Sequence, residues 1–150
     1  MKILFICTAN VCRSPLAEGY CKHLLGNDSA AGIEVASAGV LAHSGSPAFD
    51  CAVEVARLSG FDLQPHKARR ITLEMADESD LILCMETWQA SRVLDLDQNL
   101  IGKTQLLGNY HPSRQRLLQI PDPQSFNVPD TLEVFQMIQE SVQELQKKLR

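Results

Sequence analysis

The segment at 7–14, Cys-Thr-Ala-Asn-Val-Cys-Arg-Ser, carries the residue types best suited to chemistry. A loop between Cys7 and Arg13 places a thiol beneath a guanidinium. The backbone N–H groups of such a loop can point inward, and a helix that follows adds positive potential. This environment favours a thiolate, which can attack a bound phosphate while the planar guanidinium holds two phosphate oxygens. The segment therefore predicts phosphoryl transfer to Cys7.

The elements around this segment predict where it lies. Apolar runs predict buried strands, and helical spacing of apolar residues separates them. We expect strands at 3–7, 33–37, 81–85 and 104–107, and helices at 14–23, from 46 to about 60, after a Thr72 cap, and at 87–93. The alternation predicts a single α/β domain over residues 1–150, with a four-stranded parallel sheet, helices on both faces and a phosphate-binding loop after strand 1. Ligands of such folds bind beyond the carboxyl ends of the strands, where strand 1 delivers Cys7.

The last part of the chain combines a long loop with an amphipathic helix. Residues 110–129 include four prolines, and loops of this length in a compact domain are usually functional. Asp130 is expected to cap the final helix, with Glu133 completing a capping box. The apolar stripe of this helix is expected to pack on the sheet through Leu132, Phe135, Ile138, Val142, Leu145 and Leu149.

Asp122 is the best candidate for a general acid. A leaving alkoxide or phenoxide needs a proton, which a carboxylic acid on a loop can supply. Among the 18 acidic residues, Asp122 lies between two prolines in the long loop, a position that restrains it. The alternative is an aspartate that only forms a turn, which is common.

The composition narrows the possible partners. The net charge of −4 gives no basic stripe, which argues against nucleic acid as the main partner. No apolar run approaches the roughly 20 residues of a membrane span, and residues 1–6 make a poor signal peptide, so we expect a cytoplasmic protein without membrane insertion. The five cysteines, an odd number, predict free thiols in a reducing compartment. No histidine pairs with a cysteine at finger-like spacing, so we expect neither a metal nor a cofactor.

The motif Cys-x4-Cys-Arg-Ser-Pro near the N-terminus resembles the low-molecular-weight protein tyrosine phosphatases. Four further segments match this family in the same order: Ser37-Ala38-Gly39, the stretch at 60–72, Asp-Leu-Ile-Leu-Cys-Met at 80–85, and Asp122-Pro123. The resemblance thus covers most of the chain. It implies hydrolysis of phosphotyrosine and small aryl phosphates through a phosphocysteine intermediate.

The resemblance also implies a role for each matching residue. Cys7 is the nucleophile, Arg13 binds phosphate and stabilises the transition state, and Asp122 is the general acid and then the general base. Ser14 donates a hydrogen bond to the thiolate and, with three others, supports the loop: Asn10, Ser37 and His66. The substrate phosphate is expected to contact the whole loop, namely Thr8, Ala9, Asn10, Val11, Cys12, Arg13 and Ser14.

The expected partners are phosphotyrosine-containing proteins, with a tyrosine kinase among the candidates, and we expect a monomer or weak dimer. Within the family, a branched aliphatic residue in the Val11 slot goes with tyrosine phosphatases and a threonine with protein-arginine phosphatases. Two departures bear on aryl specificity. Gln124-Ser125 follows Asp122-Pro123 where many members have aromatics, leaving Phe126 as the first aromatic, and His43 lies where some members carry an aromatic wall.

Cys12 has two interpretations. It can fill space beneath the loop, or it can form a disulfide with oxidised Cys7 and protect it, as some family members do. We favour the redox role because a thiolate five residues away is well placed for it. The other three cysteines are expected to pack in the core: Cys21, Cys51 and Cys84.

Two other functional classes remain as alternatives. Thioredoxin-coupled arsenate reductases share the fold and the Cys-x5-Arg loop, and Cys84 lies near their second catalytic cysteine. They need a third cysteine shortly afterwards, and none follows Cys84 here. A catalytically silent phosphate-binding module is disfavoured because nucleophile, arginine and acid are all present.

Overall fold

The computed structural model describes residues 1–26, 32–113, 115 and 118–149. Across these residues four strands form one parallel sheet in the order β2-β1-β3-β4. Their bounds are β1 (Lys2–Cys7), β2 (Glu34–Gly39), β3 (Leu81–Cys84) and β4 (Thr104–Leu106). β1 lies between β2 and β3, so its carboxyl end has neighbours on both sides. The predicted four-stranded parallel sheet is confirmed.

Helices cover both faces of this sheet, as predicted. They are α1 (Arg13–Leu25), α2 (Asp50–Leu58), α3 (Leu73–Glu78), α4 (Thr87–Leu96) and α5 (Val128–Lys148). Successive side chains of a strand point to opposite faces. Ile3 and Phe5 of β1 therefore pack in the cluster that includes buried residues of α1, α2 and α5, while Leu4 and Ile6 pack with Ala76 and residues of α4. None of the described helices is long and apolar enough to cross a membrane.

The predicted start of the last helix is wrong by one turn. α5 begins at Val128, and Asn127 is its N-cap, because Asn127 Oδ1 accepts from the Asp130 N–H at 2.8 Å. Asp130 lies inside the first turn, where its carboxylate accepts from the Ser125 N–H at 3.1 Å. The predicted apolar stripe is buried at Phe135, Ile138, Val142 and Leu145, whereas Leu132 at its start is exposed and Leu149, just past the helix end, is only partly buried.

The predicted start of the second helix, at Ser46-Pro47, is also wrong, since α2 begins at Asp50. Tertiary hydrogen bonds hold the preceding residues extended instead. Pro47 forms an antiparallel bridge with Lys67, and the Ser46 carbonyl accepts from the Ala68 N–H at 2.8 Å. The Thr72 cap is confirmed, since its side chain accepts from the Met75 N–H, and the other predicted bounds differ by only a few residues.

Candidate active site

In the loop between β1 and α1, backbone carbonyl groups point away from the loop interior and accept hydrogen bonds from other residues. The carbonyls of five of its residues accept hydrogen bonds from the surrounding chain: Cys7 from Val40 N at 3.1 Å, Thr8 from Leu41 N at 2.9 Å, Asn10 from His66 Nε2 at 2.8 Å, Val11 from Phe49 N at 2.9 Å and Cys12 from Leu16 N at 3.1 Å. The C=O and N–H of one peptide unit point in opposite directions. Fixing the carbonyls outward therefore turns amide groups toward the loop interior, where they can bind an anion.

Asn10 holds the tightest bend of this loop. Its φ angle of 57° lies in the left-handed region, which asparagine tolerates better than most residues. The side chain is fully buried, and its Oδ1 accepts from the Arg69 N–H at 2.9 Å. The loop conformation is thus fixed by contacts from outside the loop, as expected where backbone strain is kept at a functional site.

A polar network continues from Asn10 to the predicted nucleophile. Asn10 Nδ2 donates to Ser14 Oγ at 2.8 Å and to Ser37 Oγ at 2.9 Å. Ser14 Oγ lies 2.9 Å from Cys7 Sγ, and either atom can be the donor of that hydrogen bond. The fold therefore brings together the four residues expected to support the loop, with His66 joined to it through the Asn10 carbonyl.

The Arg13 guanidinium is buried and is held from several sides. Nη1 donates to Glu86 Oε2 at 2.7 Å and to the Ile120 carbonyl at 2.8 Å, and Nη2 donates to Thr8 Oγ1 at 3.2 Å. A guanidinium carries five N–H groups. These three bonds leave Nε–H and one Nη2–H, which lie along one edge of the fork and suit two oxygens of a phosphate.

Asp122 contacts that same edge. Its Oδ1 lies 3.0 Å from Arg13 Nε, although Nε has no partner with hydrogen-bond geometry among the described residues. The Asp122 side chain is 53% exposed, whereas that of Arg13 is 1% exposed. The structure thus places the three predicted catalytic side chains on one loop and its rim, with the carboxylate on the solvent side.

Two residues around Arg13 were not predicted from the sequence. Glu86 lies two residues after the end of β3 and forms an ion pair with Arg13, and Gln89 is fully buried. Gln89 Nε2 donates to Thr8 Oγ1 at 3.1 Å and to Glu86 Oε2 at 3.3 Å. The available indication was an acidic residue shortly after the end of a strand that neighbours β1, since such residues lie beside the ligand-binding edge.

The Cys12 thiol is buried beneath the loop. Burial raises the pKa of Cys12 far above its ordinary range, and negative charge on Cys51, Cys7 and Asp122 raises it further, while Arg13 opposes this shift. Cys12 is therefore a neutral thiol near neutral pH. All five cysteines lie in the described part of the chain and are free thiols.

The three cysteines assigned to the core are buried, as predicted. Burial raises the pKa of Cys21 and of Cys84 to about 12, so both thiols stay protonated near neutral pH. Cys51 is buried in the first turn of α2. Among the described residues no group of three or more His, Cys, Asp and Glu side chains could hold a metal ion.

An aromatic pair borders the loop. Phe49 and Phe126 are both exposed and contact each other edge to face, with ring centroids 4.9 Å apart and an interplanar angle of 78°. Phe49 also lines a cavity of about 390 Å³ together with Ala9, Val11 and His43. The pair therefore connects the start of α2 to the segment that follows Asp122.

Comparisons with known proteins agree with this geometry. The family model described as low molecular weight phosphotyrosine protein phosphatase matches residues 2–150. The chain is 35% identical over 147 residues to the low molecular weight protein-tyrosine-phosphatase Etp of Escherichia coli K12, covering 98% of this chain and 93% of Etp.

Two solved structures superpose closely on the chain. Vibrio vulnificus Wzb in complex with benzylphosphonate has a TM-score of 0.86 at 32% identity, covering 98% of this chain and 97% of Wzb. The YwlE arginine phosphatase from Geobacillus stearothermophilus has a TM-score of 0.87 at 26% identity, covering 99% and 92%. The chain belongs to the low molecular weight phosphotyrosine protein phosphatase family and is an enzyme of that family.

Proposed function

We propose that this protein hydrolyses phosphotyrosine in proteins, and small aryl phosphates, through a phosphocysteine intermediate on Cys7. The observation that carries this proposal is the Nε–H of Arg13, which takes no part in the hydrogen bonds that hold the guanidinium and lies 3.0 Å from Asp122 Oδ1. An anion bound to that N–H and to the inward amides lies above Cys7. The site thus combines a nucleophile, an anion cradle and a proton donor.

In the first step the Cys7 thiolate attacks phosphorus as the bond between phosphorus and the tyrosine oxygen breaks. Asp122 gives its proton to the departing phenolic oxygen, so that the phenol leaves neutral. Arg13 and the loop amides stabilise the charge on the equatorial phosphate oxygens. Glu86 and the Ile120 carbonyl keep the guanidinium oriented during this step.

In the second step a water molecule attacks the phosphorus of phosphocysteine. Asp122, now a carboxylate, takes a proton from that water as the P–S bond breaks. Inorganic phosphate leaves, and Cys7 returns to the thiolate. Because Asp122 is half exposed, water reaches the carboxylate at this stage without rearrangement of the core.

The loop and its rim favour an aryl substrate. Val11 and Phe49 line the same apolar cavity, and a tyrosine ring can pack against such side chains. Wzb, one of the relatives, has been solved with an aromatic phosphonate, which supports the same preference. Phosphoarginine is the competing substrate, because another relative is an arginine phosphatase.

The test compares three assays of the purified protein: hydrolysis of a phosphotyrosine peptide, hydrolysis of a phosphoarginine peptide, and reduction of arsenate. We expect phosphate release from phosphotyrosine, with Cys7→Ser reducing it by more than about 1,000-fold because a neutral hydroxyl replaces the thiolate. Cys51→Ser is the matched control, since this thiol lies outside the loop. Activity of Cys7→Ser within tenfold of the parent contradicts the proposal.

We also propose that mild oxidation joins Cys7 and Cys12 in a disulfide. Cys7 and Cys12 are free thiols that are both buried and belong to one packed cluster, which supports this proposal. Peroxide converts the Cys7 thiolate to a sulfenic acid, and Cys12 then displaces water to form the S–S bond. Mass spectrometry after peroxide treatment tests this, with recovery by a dithiol; sulfinic acid on Cys7 beside a free Cys12 contradicts it.

The remaining predictions concern the setting of the enzyme. Phosphotyrosine-containing proteins, a tyrosine kinase among them, stay the proposed partners, and the cytoplasm and a monomer or weak dimer stay the proposed location and state. Pull-down with the Asp122→Ala variant, which should retain phosphorylated substrates, identifies the partners. Sedimentation of the purified chain measures its state.

A further inference from the structure

Glu18 is a carboxylate with no assigned role that nevertheless contacts the active-site network. It lies on α1, one turn beyond Ser14, and its side chain is only 19% exposed. Its Oε2 accepts from Lys22 Nζ at 2.6 Å, and its Oε1 accepts from the Ser37 hydroxyl at 2.6 Å. The bond to Ser37 is as short as the ion pair, so Glu18 is held in one orientation.

From Glu18 a continuous chain of hydrogen bonds leads to the nucleophile. Its links are Ser37 Oγ to Glu18 Oε1 at 2.6 Å, Asn10 Nδ2 to Ser37 Oγ at 2.9 Å, Asn10 Nδ2 to Ser14 Oγ at 2.8 Å, and Ser14 Oγ to Cys7 Sγ at 2.9 Å. The three residues between the ends are at most 2% exposed. Water therefore has little access to these groups, and their hydrogen bonds depend on one another.

The Glu18 carboxylate, at the outer end of the chain of bonds, determines which atoms donate in the two nearest hydrogen bonds. A carboxylate has no proton to donate, so the Ser37 hydroxyl must donate to Glu18. The Ser37 oxygen is then an acceptor for Asn10 Nδ2. The Asn10 amide cannot be turned round, because its Oδ1 already accepts from the Arg69 N–H at 2.9 Å.

The direction of the hydrogen bond between Ser14 and Cys7, at the inner end of the chain of bonds, follows from the same count of protons. The second N–H of Asn10 Nδ2 goes to Ser14 Oγ, so Ser14 accepts there and keeps one proton to donate. That proton has two acceptors in reach, Cys7 Sγ at 2.9 Å and the Ala38 carbonyl at 3.5 Å. The Ser14 hydroxyl donates to Cys7 Sγ because that contact is the shorter one. The sulfur is then an acceptor, which favours its thiolate form.

We propose that Glu18 is a positioning residue that orients the Ser37–Asn10–Ser14 hydrogen bonds toward the Cys7 thiolate. The proposal rests on Cys7 as the nucleophile of the proposed function. Without Glu18, the Ser37 hydroxyl is free to rotate and Asn10 loses a fixed acceptor. Glu18 and Ser37 both line a cavity of about 480 Å³, so water can then enter at Ser37.

The experiment compares Glu18→Ala, Glu18→Gln and Lys22→Met with the parent. Lys22→Met is the matched control, because it removes the ion pair of Glu18 and leaves its bond to Ser37. The first readout is the rate at which iodoacetamide alkylates Cys7 at fixed neutral pH, followed by mass spectrometry of the Cys7 peptide. The second is the burst of phenol released from an aryl phosphate. Thermal unfolding establishes that each variant is folded.

We expect Glu18→Ala to slow both Cys7 alkylation and the burst by about threefold to tenfold, the range of one lost hydrogen bond. Glu18→Gln, whose amide oxygen can still accept from Ser37, should lose less, and Lys22→Met should match the parent. The substrate KM should stay within about twofold, because the anion edge of Arg13 is untouched.

A double-variant cycle decides whether Glu18 acts through Ser37. In a Ser37→Ala background, Glu18→Ala should slow alkylation no further, since the link is already broken. Independent effects of the two changes, or parental alkylation in folded Glu18→Ala, overturn the proposal. If the parent hydrolyses no aryl phosphate, the proposed function fails, and the alkylation rates still decide the role of Glu18.

Discussion

At the scale of single residues, the site depends on how Arg13 is divided among its partners. One side of the guanidinium is held by Glu86 and the Ile120 carbonyl, and Nε on the opposite edge contacts Asp122. A buried guanidinium is costly unless it is paired, so Glu86 makes the buried position possible. The price of losing Glu86 is therefore an unpaired buried charge, which is expected to weaken phosphate binding and folding together.

The role of Asp122 predicts a dependence on the leaving group. In Asp122→Asn, cleavage of phenyl phosphate should slow by about a hundredfold or more, the usual range for general-acid catalysis. An activated ester such as p-nitrophenyl phosphate needs less protonation, so its cleavage should slow less. The measurement is the pre-steady-state burst of phenol, because Asp122 also serves in the second step. A burst rate independent of leaving-group pKa, as in the parent, means that another residue is the acid.

That Cys7, Arg13 and Asp122 would lie around one loop could be predicted from the sequence, because each lies in a short motif with a strand, a helix or prolines around it. Glu86 and Gln89 could not, because their partners Arg13 and Thr8 are more than 70 residues away and only the parallel pairing of β1 and β3 brings them together. The role of Glu18 was hidden for the same reason, since Ser37 belongs to β2.

At the scale of elements, the loop rests on the end of β2. Gly39 pairs with Cys7 in the sheet. A methyl group added at Gly39 would lie 2.6 Å from the Thr8 carbonyl oxygen and 2.9 Å from the Asn10 nitrogen, which is too close. Only glycine lets the loop lie this close to the sheet. The start of α2 is fixed in a similar way, since Phe49 N bonds to the Val11 carbonyl. Propensity alone places that helix start at Ser46-Pro47, and the tertiary bonds move it.

The aromatic pair that joins two elements should select the substrate. We expect Phe49→Ala to raise KM for phosphotyrosine about threefold to tenfold, since an exposed ring contact is worth about 1 kcal/mol. An alkyl phosphate without a ring should be affected less than twofold. Leu58→Ala, on the same helix but exposed and outside the cavity lining, is the control. Equal losses for aryl and alkyl substrates contradict a role in ring recognition.

At the scale of the whole molecule, buried apolar runs with helices between them predicted the four-stranded parallel sheet. The strands β1 and β3 are apolar on both faces and lie in the centre of the sheet, and α5 covers one face through Phe135, Ile138 and Val142. The prolines predicted the loop at 110–129. They gave no indication that the Ile120 N–H would donate to the Met85 carbonyl or that the Ile120 carbonyl would accept from Arg13. The predicted loop includes residues 114, 116 and 117, which lie outside the described residues.

Inorganic phosphate should stabilise the whole fold, because the loop exists only in the folded chain. At 100 times its Kd, phosphate adds about 2.7 kcal/mol, which corresponds to a rise in Tm of about 5–10 °C for a domain of this size. Differential scanning fluorimetry with phosphate, and with chloride at equal ionic strength as control, measures the rise. Arg13→Lys should remove most of it, since an ammonium cannot span two oxygens. An equal rise in Arg13→Lys places phosphate elsewhere.

The contact between Asp122 and Arg13 Nε has a consequence for the catalytic cycle. In the proposed mechanism a phosphate oxygen binds at Arg13 Nε, where the Asp122 carboxylate already lies, so Asp122 is a competitor for the anion site. Each substrate has to expel this competitor on arrival, and the competitor helps to expel inorganic phosphate at the end. When phosphate is abundant, turnover therefore depends on Asp122 for the release of product as well as for proton transfer. Asp122→Asn should bind phosphate more tightly than the parent and be more strongly inhibited by its own product.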